Sequence, residues 1–72
     1  MLEIHVNGFT VIAHEFTPHR GYVILGARRT GPGSYEYVVA ELASLDDKSW
    51  PSGTYFSTIS AATTEYTNRK GI

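Results

Sequence analysis

The stretch LEIHVNGFTVIAH, residues 2–14, constrains this chain more than any other. Asn-Gly is the preferred central pair of a two-residue type I′ hairpin turn because both positions need positive φ. Here Asn7-Gly8 separates two runs in which apolar and polar residues alternate. A turn at that point sets the pairing: Val6 opposite Phe9, Ile4 opposite Val11, Leu2 opposite Ala13. All six of these apolar side chains then share one face, and Glu3, His5, Thr10, Ile12 and His14 share the other. The fold is therefore expected to rest on an antiparallel sheet with a buried face.

The rest of the chain extends that sheet. TPHRG reads as a connection, with Pro18 and Gly21 as breakers. YVILGAR, Tyr22 to Arg28, is a near-continuous apolar run suited to a central strand, with Gly26 as a bulge or a point of close contact. RTGPGS is a loop, and YEYVVAEL, Tyr35 to Leu42, forms the partner strand of a second hairpin. From Ala43 the character turns polar, and ASLDDKSWPSG reads as a long loop before a short strand at TYFS. STISAATTEYTNRKG then has helical spacing, with Thr58 or Ser57 as N-cap. Ile59, Ala62 and Tyr66 share a face, and Lys70-Gly71 supplies a basic last turn and a C′ glycine. The expected architecture is α+β: an antiparallel meander sheet of four to five strands with one C-terminal helix packed on one face. The other sheet face is expected to be largely open. Residues 1–72 form a single domain, since so short a chain cannot divide its apolar residues between two separate domain cores.

Composition narrows the function. The chain contains no cysteine, so disulfides and thiolate metal sites are excluded and stability must come from packing or oligomerisation; an intracellular setting is the natural expectation. A formal net charge of -1 lacks the surplus of Lys and Arg that a sequence-independent DNA coat requires. The opening MLEIHVNG has no basic segment followed by an apolar one, and no run approaches the roughly 18 apolar residues of a membrane span. A cytoplasmic protein without a membrane partner is expected. In so small a domain, hydrophobic burial barely exceeds the entropy of ordering the chain, so little stability is spare for a strained catalytic pocket. A non-enzymatic protein without a cofactor follows as the expectation.

Four stretches invite a chemical reading. HEFTPH, His14 to His19, comes close to the helical zinc motif His-Glu-x-x-His, but its histidines are five apart, which turns the second by roughly 140° on a helix, and Pro18 would break that helix. No metal site is expected. RRTGPGS, Arg28 to Ser34, lacks the Gly-Lys-Ser/Thr ending and following helix of a phosphate loop, and reads as a hairpin loop; its Arg28 and Arg29 are either ordinary solubility charges or, in a functional reading, a pair that inserts into a nucleic-acid groove or reaches an acidic protein surface. Tyr22, Tyr35 and Tyr37 fall on the two central strands, as core, as interface anchors or as a stacking platform for bases. In LDDKSWPSGTYF, Asp46 and Asp47 read as a solvated turn, and Trp50 as a lid over the core or as an interface anchor.

The segments YVVAEL (37–42), SW (49–50) and G.YFS (53–57), with Ala61, Tyr66 and Arg69, resemble a loose pattern of small uncharacterised proteins encoded by phages and mobile elements. The resemblance implies a setting: proteins of this kind, anti-CRISPR proteins being the familiar example, inhibit host defence or regulatory machinery by binding it. The expected function is a small protein-binding domain, an inhibitor of a host protein complex, with Tyr22, Arg28, Arg29, Tyr35, Tyr37 and Trp50 as the contact residues. The alternatives are a nucleic-acid-binding module using the arginine loop and the tyrosines, and an oligomeric small-ligand binder. An open edge strand would also favour a homodimer.

Overall fold

The computed structural model describes residues 5–47, 49–50 and 53–71. Five strands, β1 (His5–Val6), β2 (Phe9–Thr17), β3 (Gly21–Gly31), β4 (Ser34–Leu42) and β5 (Gly53–Phe56), precede one helix, α1 (Ile59–Lys70). The strands form a single antiparallel sheet in chain order, the α+β meander expected from the sequence. Val6 pairs with Phe9 across Asn7-Gly8, both of which have positive φ. The expected pairs involving Ile4 and Leu2 lie outside the described residues.

The next turns follow equally local rules. Thr17 and Gly21 close the β2–β3 connection, where Gly21 takes φ 76 and the Thr17 hydroxyl donates to the Gly21 carbonyl while accepting from the Arg20 amide. Pro32-Gly33 turns β3 into β4, with Gly33 at φ 71, as expected for Pro followed by Gly at the centre of a turn. The polar stretch after β4 forms a tight turn in which the Asp47 carboxylate accepts from the Ala43 and Ser44 amides.

The two sheet faces carry separate apolar clusters. On one, α1 lays Ala62 and Tyr66 on Val23, Leu25 and Val39, with Ala13, Tyr37 and Phe56 beside them. On the other, Val6, Phe9, Ile24, Val38, Ala40 and Leu42 gather beneath Trp50. This second face is therefore not the open surface expected from the sequence. Three strand spacings separate β2 from β5, roughly 14 Å in a flat sheet, yet the rings of Phe9 and Tyr55 stack with centroids 5.9 Å apart. The sheet curls around this face. Gly26 permits the curl, because a Cβ there would lie 3.2 Å from the Cβ of Phe9 and 3.1 Å from Val38 Cγ1. Trp50 closes the concavity, 8% exposed, with its indole over Gly53 and its Nε1 donating to the Tyr55 hydroxyl at 3.3 Å.

A bulge also corrects the expected face assignment in β2. The pairing with β3 shifts between Val11 and Ala13 at Ile12, so Val11 joins the Trp50 cluster while Ala13 joins the helix cluster. The extra residue resets the alternation. His5 and His14, expected on one face, consequently sit on opposite faces, paired in register with Thr10 and Ile24. Two expectations for α1 also change. Thr58 is the N-cap, its side chain accepting from the Ala61 amide, but Ile59 is 45% exposed while Ala62 and Tyr66 are buried. Gly71 ends the helix with φ -85 rather than in the left-handed region, its amide donating to the Thr67 carbonyl.

Candidate functional site

The β3–β4 hairpin runs beyond its neighbours. β5 pairs only with Tyr37 to Ala40, and the helix cluster includes no hairpin residue between Leu25 and Tyr37, so the segment from Arg28 to Glu36 forms a free end. Alternation along the strands divides its side chains. Arg28 and Glu36 are paired on the Trp50 face, and Arg29 and Tyr35 on the helix face.

Arg28 is engaged within the fold. Its Nε and Nη2 donate to the same Glu36 oxygen at 3.0 and 2.7 Å, and its guanidinium lies 5.2 Å from the centre of the Phe9 ring. Arg29 differs. Its Nε donates to the Gly31 carbonyl at 3.2 Å, and it makes no ion pair with a described residue. Beside it, Tyr35 stacks on Tyr37 with centroids 6.4 Å apart; Tyr35 is 50% exposed, while Tyr37 is rooted in the helix cluster. A cleft of about 480 Å³ opens at the step where β5 stops, bounded by Arg28, Tyr35, Glu36, Tyr55 and Phe56.

The structure thus brings together four of the residues singled out in the sequence, Arg28, Arg29, Tyr35 and Tyr37, with Arg28 facing away from the other three. Tyr22 and Trp50 lie elsewhere. Trp50 is the lid of the second cluster. Tyr22 stands near the opposite end of β3 on the Trp50 face, where Phe16 packs edge-on against it at 5.2 Å and His14 at 6.3 Å. Phe16, 60% exposed, forms a second aromatic group with Tyr22 that the sequence reading passed over. The signal available was the strand period itself: continued past His14, it places Phe16 beside His14.

The remaining described cations are committed to carboxylates. Arg20 and Arg69 converge on Glu41, Arg69 also donates to Glu65 and Thr54 at 2.7 Å each, and Lys70 lies 3.6 Å from Glu15. Lys70 also caps the face of Tyr66, whose phenol is pushed above its ordinary pKa of 10.0 by burial first and by the Glu15 charge second. Among the described residues no group of three His, Asp or Glu converges on a point that would hold a metal ion. No described helix is long and apolar enough to cross a membrane. No protein-family model, curated protein or solved structure matches this chain.

Proposed function

We propose that this chain is a non-enzymatic binding domain that docks on a partner protein through the free end of its β3–β4 hairpin. The observation that carries the reading is the half-exposed Tyr35, stacked on a Tyr37 that the helix cluster holds in place. An exposed tyrosine on a paired strand loses little conformational freedom on binding, and rigid aromatics of this kind anchor protein interfaces. The adjoining cleft gives a partner side chain a place to enter beside Tyr35. Inhibition of a host defence complex is the narrower form of the proposal, and it rests on the resemblance of the segment from Tyr37 to Arg69 to phage-encoded proteins.

A protein partner is favoured over nucleic acid by charge. Affinity for nucleic acid grows with the number of phosphates neutralised, and Arg29 is the one described Lys or Arg without a carboxylate partner. The test is affinity capture of the tagged chain from lysate of the organism carrying its gene, with and without nuclease. A stoichiometric protein retained through nuclease and moderate salt is expected. A bare bait, or partners that all disappear with nuclease, would overturn the proposal.

A further inference from the structure

We infer that the hairpin end is a carboxylate receptor, in which Arg29 takes an acidic side chain of the partner while Tyr35 packs beside it. This inference rests on the binding reading above and names the chemistry of the partner. Three observations carry it. The first is the uncommitted charge of Arg29, in a chain whose other described Lys and Arg residues each have a carboxylate. The second is orientation. The bond from Arg29 Nε to the Gly31 carbonyl ties the inner edge of the guanidinium to the hairpin's own backbone and leaves the Nη donors for an outside acceptor. A planar fork held in this way matches a carboxylate with two parallel hydrogen bonds. The third is the local balance of charge. The one carboxylate on the hairpin end, Glu36, is taken up by Arg28 on the opposite face, so an incoming acid on the helix face meets a cation and two aromatic rings without a like charge between them.

A phosphate would satisfy the same fork. A nucleic acid would bring a row of them, and the hairpin end offers one uncommitted cation; a single carboxylate on a protein surface fits that count.

The test is a titration followed in amide ¹H–¹⁵N spectra. The probes are a synthetic decapeptide built on Glu-Leu-Glu, its Gln-Leu-Gln counterpart, a ten-residue oligothymidylate and inorganic phosphate. The Glu peptide is expected to shift the amides of residues 28–31 and 33–37, Pro32 having none, and the Gln peptide to leave them in place. Arg29→Gln should weaken the Glu peptide by about tenfold or more, the loss of a charge-assisted pair. Arg29→Lys should recover part of that loss, since the charge remains but the fork does not. Arg20→Gln removes an equal charge at a distance and should leave affinity unchanged. Equal shifts from both peptides, equal weakening by the two Gln variants, stronger effects from phosphate or oligothymidylate, or no shifts at all would each overturn the inference. If the Glu peptide fails while Tyr35→Ala still abolishes capture from lysate, protein binding stands and the carboxylate receptor falls.

Discussion

Trp50→Ala and Trp50→Phe together measure how far the fold depends on the indole that closes the concave sheet face. Trp50 packs 5.7 Å from the Phe9 ring, covers Gly53 and donates to the Tyr55 hydroxyl. Removing a buried aromatic to alanine costs about 3–5 kcal/mol. A domain of this length holds about 4–11 kcal/mol in total, at 0.05–0.15 kcal/mol per residue. Trp50→Ala should therefore leave the chain largely or wholly unfolded at 25 °C if its stability lies in the lower part of that range. Trp50→Phe keeps a ring against Phe9 but gives up the indole N–H bond and some volume, about 1–2 kcal/mol. At about 4–8 °C of melting temperature per kcal/mol, the expected drop is roughly 5–15 °C. The assay is urea and thermal unfolding followed by far-ultraviolet circular dichroism, because Trp50 is the only tryptophan and its fluorescence is lost with it. A Trp50→Ala protein that stays folded within about 0.5 kcal/mol of the parent, the scatter of ordinary surface substitutions, would refute the second core.

Three further predictions follow from local geometry. Gly21→Ala should destabilise by about 2 kcal/mol or more, since φ is 76 and the new Cβ would lie 2.7 Å from the Leu42 carbonyl oxygen; the urea midpoint checks it. Thr58→Ala removes the bond to the Ala61 amide and should cost about 1 kcal/mol by the same assay, with Thr58→Ser close to neutral. The raised pKa of Tyr66 means that the folded state holds this proton more tightly than the unfolded one. Its contribution is then complete below pH 10 and is lost as pH rises from there through the folded value, so the fall in stability between pH 9 and pH 11 should be smaller in Tyr66→Phe than in the parent.

What could be read from the sequence was mostly local. The Asn7-Gly8 turn, the Val6–Phe9 pair and the Thr58 cap each depend on a few neighbouring residues, and each is present. The bulge at Ile12 left one sign, three consecutive apolar residues at Val11, Ile12 and Ala13 where strict alternation would place a polar one. Missing it assigns Ala13 and His14 to the wrong faces. The curl is non-local: nothing near Phe9 announces Tyr55, which is 46 positions later in the chain. The arginines illustrate how a boundary decides a site. Gly31 and Pro32 suggest a strand that ends at Arg28, which makes Arg29 a loop residue alongside it. With β3 extending to Gly31, the two arginines are successive strand residues and point to opposite faces, one to Glu36 and Phe9, the other outward.

The binding account is tested most directly by repeating capture from lysate with two single variants, Tyr35→Ala at the hairpin end and Phe16→Ala at the other exposed aromatic group, each first shown to be folded by circular dichroism. The account predicts that Tyr35→Ala loses the partner by about tenfold or more, the effect of removing an interface anchor worth at least 1.4 kcal/mol, while Phe16→Ala retains it. Retention by Tyr35→Ala together with loss by Phe16→Ala would contradict the account and place the docking surface beside Tyr22 instead.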